Sequence, residues 1–292
     1  MVSEGKARTL DLSAGLFYFM RKINNYFLRF CAAALSFCAL TGSAQAKRVV
    51  SLMPSYTEII YELGAGSGVV GVTNFCTWPP AALKVEKTGD YLRPNVEKIY
   101  SLKPDVVFAG AWAAENSSKQ LSGLGIKVVQ LPEEKKVKDI FSTIRLIAAE
   151  LGRRAEGEKL IKKLSLPWGA KTANPGLPKK VYLEADNGGW TTGGESFLSD
   201  AVNLAGGKNI FGDEKKGYFQ ASWEEVLLLD PEAVILLSGT KEEFLTRPMA
   251  ADIAAAKNGL IITSLNRDSF SRPGPRIFGE IKKLYGLLHD KK

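Results

Sequence analysis

Hydrophobic and polar positions along this chain switch repeatedly between two periods. Short β-branched runs at residues 48–52, 69–72, 106–109, 127–131, 180–185, 233–237 and 260–264 predict buried strands. Helical patterns fall between them. Ser55-x-x-Glu58 reads as a capping box opening a helix that stops at Gly64–Gly66, and Ser222-x-x-Glu225 reads as a second. A helix over 196–205 is closed by Gly206-Gly207, Pro79-Pro80 starts a short one, and 275–288 forms the last. Alternation of this kind predicts an α/β fold with central, mainly parallel sheets.

Between the two strand series the pattern changes. Val137, Ile140, Phe141, Ile144, Ile147, Ala148 and Leu151 recur at three- and four-residue steps, and Leu160, Ile161 and Leu164 extend the stripe past Gly152 and Gly157. This predicts one long amphipathic helix over 133–166, a rod of roughly 45–50 Å at about 1.5 Å per residue. The expected organisation is two α/β lobes, residues 47–132 and 167–292, joined by that helix.

An internal match supports two similar lobes. Glu97-Lys-Ile-Tyr-Ser-Leu-Lys-Pro104-Asp-Val-Val parallels Glu224-Glu-Val-Leu-Leu-Leu-Asp-Pro231-Glu-Ala-Val. Each places a glutamate early in a helix, a proline seven residues later to end it, and a buried strand beyond. The alternative is coincidence between generic α/β units.

Residues 1–46 have a different character. A basic stretch from Met20-Arg21-Lys22 to Arg29, an apolar run over 30–40 and Ser43-Ala44-Gln45-Ala46 form the three parts of a secretory signal. The run is too short to span a bilayer, which needs about 20 residues. Glu4 and Asp11 are out of place in a signal, so Met20 is the expected start and Lys47 the first mature residue. Cys31 and Cys38 lie in the signal without a lipoprotein box, leaving Cys76 alone and no internal disulfide. The expected mature protein is periplasmic, soluble and monomeric.

Composition narrows the function. The net charge of +8 falls to +5 without residues 1–46, and the remaining bases are scattered, which argues against a nucleic-acid track. The single histidine, His289, is four residues from the end, so neither a histidine-based catalytic site nor a histidine-rich metal site can form inside the fold. No G-x-G-x-x-G or G-x-x-x-x-G-K-[ST] sequence occurs. An exported α/β enzyme using carboxylates alone stays as an alternative of another class.

The runs Arg48-Val-Val-Ser-Leu-Met-Pro-Ser55-Tyr-Thr-Glu58-Ile-Ile, Leu63-Gly-Ala-Gly, Val69-Val-Gly-Val-Thr73, Leu102-Lys-Pro-Asp-Val and Arg272-Pro-Gly-Pro-Arg276-Ile resemble those of the periplasmic cobalamin-binding proteins of ABC importers. The resemblance runs from Lys47 almost to the C-terminus. It implies two lobes on a helical backbone, a corrinoid in the cleft between them, and delivery to a membrane permease. Haem or a ferric siderophore is the alternative ligand. The protein needs no cofactor or metal site of its own, because a corrinoid carries its own cobalt.

The same resemblance implies the site. Phe75, Tyr91 and Tyr218 fall where the family places cleft aromatics, with tyrosine replacing tryptophan at 91 and 218, and Trp112 and Trp190 are further candidates. Asp268 and Arg272 match polar cleft contacts. Glu97 and Glu224 match the two lobe-tip glutamates that dock on permease arginines.

Overall fold

The computed structural model describes residues 46–111, 115–165 and 177–289, and its compact unit begins at Ala46. The signal expected over 1–46, apart from Ala46, lies outside the described residues, as does Trp112. Among the described residues no helix is long and apolar enough to cross a membrane.

The first lobe comprises β1 (Val49–Ser51), α1 (Pro54–Glu62), β2 (Val69–Val72), α2 (Val96–Ser101), β3 (Val106–Gly110), α3 (Glu115–Gly123) and β4 (Val128–Leu131). Then come α4 (Asp139–Glu150) and α5 (Arg154–Ser165). The second lobe contains β5 (Lys179–Glu184), β6 (Trp190–Thr192), α6 (Phe197–Leu204), β7 (Gly207–Asn209), β8 (Tyr218–Gln220), α7 (Trp223–Leu229) and β9 (Ala233–Leu236). It ends with α8 (Lys241–Leu245), α9 (Ala254–Lys257), β10 (Ile261–Ile262), α10 (Arg267–Phe270) and α11 (Ile277–His289).

The two main sheets are wholly parallel and have matching orders, β2-β1-β3-β4 and β7-β5-β9-β10. The sequence repeat maps onto this match. Glu97 and Glu224 are both the second residue of their helix, behind Asn95 and Ser222, whose side chains accept backbone N–H bonds. Both helices end at a left-handed residue directly before the proline, Lys103 (φ 46°) and Asp230 (φ 44°). That conformation costs an L-residue about 1–2 kcal/mol. Both units offset it similarly: Arg48 donates to the carbonyls of Leu102 and Lys103 at 2.7–3.1 Å, and Lys180 Nζ donates to the Leu229 carbonyl at 2.7 Å. The backbone N–H groups of Arg48 and Lys180 bond Asp105 and Glu232 at 2.7 and 2.9 Å. Four matched details at corresponding positions exclude coincidence between generic units.

The single connecting rod expected over 133–166 is not formed. Helix α4 closes in a Schellman turn: Gly152 takes φ +69°, Arg153 N–H bonds the Ala148 carbonyl at 2.7 Å and Gly152 N–H bonds that of Ala149 at 3.2 Å. Helix α5 then folds back along α4. A Cβ on Gly157 would lie 2.7 Å from the Ala148 methyl, so the crossing requires glycine there. Arg145 and Glu158 pair at 2.7 Å on the outer side. The apolar stripe runs on through the turn because both helices bury the same kind of face in one core.

That core is continuous from Ile59 and Phe108 in the first lobe, through Ile140, Ile147 and Ile161, to Leu183 and Phe197 in the second. Before α4 the chain touches the second lobe, with Val137 N–H on Asp200 at 2.8 Å. Its far end returns to the first, where Lys47 and Lys127 hold Glu150 at 3.0 and 2.7 Å.

The capping box expected at Ser55 and Glu58 is also absent. The helix begins one residue earlier, at Pro54 behind Met53, which makes no side-chain cap, and the buried Ser55 hydroxyl has no partner. Glu58 turns instead toward the second lobe.

Candidate functional site

A cavity of about 370 Å³ opens between the lobes. The first lobe lines it with Met53 and Tyr56 at the start of α1, Tyr91 and Leu92 from the loop before α2, and Ala111 after β3. Glu133 and Glu134 come from the segment before α4. The second lobe adds Glu195, Ser196 and Phe197 at the start of α6, Tyr218 on β8, and Ser271 and Pro273 after α10. Most of these follow the carboxyl ends of strands, where open parallel sheets leave a crevice.

Two predicted aromatics therefore meet across the cleft, Tyr91 from one lobe and Tyr218 from the other. Phe75 is half-exposed and packs on Tyr91 with centroids 6.0 Å apart at 55°, so it backs that ring. Strand β8 pairs antiparallel with β6 in a small ribbon, Thr192 opposite Tyr218 and Trp190 opposite Gln220. Trp190 shares the ribbon face with Tyr218 at period two, but it does not line the cavity. Tyr218 is half-exposed, with its hydroxyl end against Ser196. Burial, with Glu133 adding to it, pushes this phenol up.

Asp268 and Arg272 pair with each other and with the first lobe. Arg272 bonds Asp268 at 3.0 Å, the Thr77 hydroxyl at 3.1 Å and the Phe75 carbonyl at 3.1 Å. Thr77 in turn donates to Asp268 at 3.1 Å. Arg276 meets Glu58 at 2.7 Å and lies 5.1 Å from the centre of the Trp78 ring, with Arg272 3.8 Å from the same carboxylate. These residues form a latch between lobes. Glu58 is only 2% exposed, and burial pushes its carboxyl up against the pull of both arginines.

Glu134 is a second buried acid, 7% exposed, which accepts the Thr143 hydroxyl at 2.6 Å. Burial raises its carboxyl above the ordinary 4.5 despite that bond, with Asp139 and Glu133 contributing. A carboxyl raised on folding adds stability below its unfolded value and loses it as pH climbs through the folded one. Glu134→Gln is therefore expected to melt higher than the parent at pH 8 and no higher at pH 4. A difference independent of pH, in scanning calorimetry at both values, would contradict this.

Tyr56, Glu133, Glu134, Glu195 and Phe197 were not among the residues expected at the site. Tyr56 and Phe197 occupy helix starts whose pattern signals core, and Glu133 and Glu134 precede a helix that begins only at Asp139. Glu97 and Glu224 are exposed and lie outside the cavity lining. Among the described residues no group of three or more His, Cys, Asp or Glu is arranged to hold a metal ion.

Residues 49–266 match the family model described as periplasmic binding protein. The chain belongs to the periplasmic binding protein family. As a member, it is a solute-binding component of an ABC importer and not an enzyme. An uncharacterized ABC transporter substrate-binding lipoprotein, YvrC of Bacillus subtilis (strain 168), is 33% identical over 84% of this chain and 81% of its own. A vitamin B12-binding protein of Vibrio vulnificus (strain YJ016) is 31% identical over 86% of this chain and 93% of its own. Among solved structures, the periplasmic heme-binding protein RhuT from Roseiflexus sp. RS-1, in apo form, superposes with a TM-score of 0.74. It is 24% identical and covers 84% of this family member and 98% of RhuT.

Proposed function

We propose that this protein captures a corrinoid in the interlobe cleft and hands it to the permease of an ABC importer. The observation that carries this is the character of the lining: Tyr91 and Tyr218 from opposite lobes, with Glu133, Glu134 and Glu195, and no lysine or arginine among the described lining residues. A corrinoid is broad, flat and edged with neutral amides. It needs ring contact and hydrogen-bond acceptors, which tyrosines and carboxylates supply.

Haem and ferric siderophores fit this lining less well. Haem carries two carboxylates, which Glu133 and Glu134, without a cationic partner among the described residues, disfavour. The vitamin B12-binding relatives support the corrinoid reading from the side of sequence. In the same reading the chain is exported, cleaved after Ala46 and released, and Glu97 and Glu224 meet the permease.

Calorimetric titration with corrinoids, hemin and a siderophore panel tests the ligand class. Tyr91→Ala and Tyr218→Ala are each expected to weaken corrinoid binding by about 1–3 kcal/mol, the usual cost of removing an aromatic anchor. Unchanged affinity in both variants would remove the two rings from the site, and hemin binding without corrinoid binding would overturn the ligand class.

A further inference from the structure

We propose that Glu133 and Glu134 make the cleft selective for a positively charged corrinoid, one that lacks the phosphodiester-bearing nucleotide loop, while the Tyr56 hydroxyl holds an amide that all corrinoids share. This rests on the corrinoid reading above and adds the charge of the ligand to it.

The first observation is an orphaned donor. Tyr56 is 1% exposed and lines the cavity, yet its hydroxyl has no hydrogen-bond partner among the described residues. Tyr56 Oη is not among the enclosed unpaired atoms, so this donor is open to the cavity and available to a ligand. Burial, with Glu134 nearby, pushes the phenol up, so it stays a donor throughout the physiological range.

The second observation is a charge imbalance. Four cations near the cavity are already matched. Arg272 and Arg276 are held by Asp268 and Glu58, Lys136 stands 4.0 Å from Asp200, and Lys135 stands 3.6 Å from Glu195. Glu133 and Glu134 have no cationic partner among the described residues. Glu133 is exposed within the cleft, and Glu134 is buried behind it, bonded to the Thr143 hydroxyl and to its own backbone N–H. The cavity therefore holds negative potential in a partly desolvated space, where charge counts for more than in water.

Corrinoids differ in how they meet such a field. The corrin amides are neutral and the cobalt centre is positive. The phosphodiester of the nucleotide loop is the molecule's fixed anion. Aquocyanocobinamide, which lacks the loop, carries a single positive charge, whereas cyanocobalamin is neutral overall.

The test is calorimetric titration of the purified protein with these two probes at low ionic strength. The cobinamide is expected to bind about tenfold tighter. Glu133→Gln with Glu134→Gln narrows the gap to about threefold or less, chiefly by weakening the cobinamide, and added salt does the same. Tyr56→Phe weakens both probes alike, because the hydroxyl reads an amide common to both. Glu133→Gln alone, at an exposed position, carries the charge test if the double variant fails to fold. Equal affinity of the wild type for both probes, or a gap that survives removal of Glu133, would overturn the selectivity and leave the corrinoid reading intact. Binding of neither probe would overturn both.

Discussion

Reversing Glu97 and Glu224 together to lysine is expected to cut reconstituted transport, or receptor-stimulated ATPase activity, by about a hundredfold or more, with ligand affinity within about threefold of the parent. The two glutamates occupy the same position of the same structural unit in each lobe, exposed and second in their helices. Placed against permease arginines, the lysines create like-charge contacts costing several kcal/mol at an interface. Neither residue lines the cavity, so the ligand equilibrium is independent of them. Glutamates in the first turn also favour their own helices, an effect of about 0.3–1 kcal/mol that thermal melting reads separately. Normal transport by the double variant, in a confirmed cognate pair, would end the docking assignment.

Arg247→Ala is expected to destabilise the second lobe by about 3–5 kcal/mol, the cost of stranding one partner of a buried ion pair. Glu184 is 1% exposed and receives both arms of Arg247, at 2.6 and 2.7 Å, plus the Tyr182 hydroxyl at 3.2 Å. The guanidinium also lies 4.9 Å from the Phe244 ring centre and 5.4 Å from that of Trp223. Burial and the neighbouring Glu184 push the Tyr182 phenol up, so it remains a donor and cannot substitute for the lost cation. Arg247→Lys rescues little, since a point charge cannot make the two-armed contact. Glu184→Leu with Arg247→Met restores most of the stability because no charge is left buried. Denaturant melts of the three variants check this, and a loss under about 1 kcal/mol for the alanine variant would contradict it.

The two-lobed architecture was legible because strand runs, caps and the Glu97/Glu224 repeat are all local signals. Ser222 and Glu225 form the expected box in full. Tyr91 and Tyr218 were legible through the family pattern, and both reach the cavity. What failed depended on distant partners. Periodicity is blind to direction, so α4 and α5 read as one rod although Gly152 reverses the chain. Glu58 looked like a helix cap because its real partner, Arg276, is 218 residues away. Asp268 and Arg272, expected from the family pattern as ligand contacts, also bind the first lobe in the latch, through Thr77 and the Phe75 carbonyl. Tyr56 carried the signature of an ordinary core position, and only the fold shows that its hydroxyl end reaches the cleft.

The latch and the shared core bear on how much of the intrinsic binding energy the receptor keeps. In a receptor whose lobes swing freely, the competent arrangement is a minor population, and apparent affinity falls in proportion to that population. Here, opening would strand the buried Glu58 carboxylate and split a continuous apolar core, so the lobes are poised with the cavity already formed. Capture then resembles a ligand entering a rigid socket: the on-rate follows encounter and desolvation, and hardly any affinity is lost to rearranging the receptor.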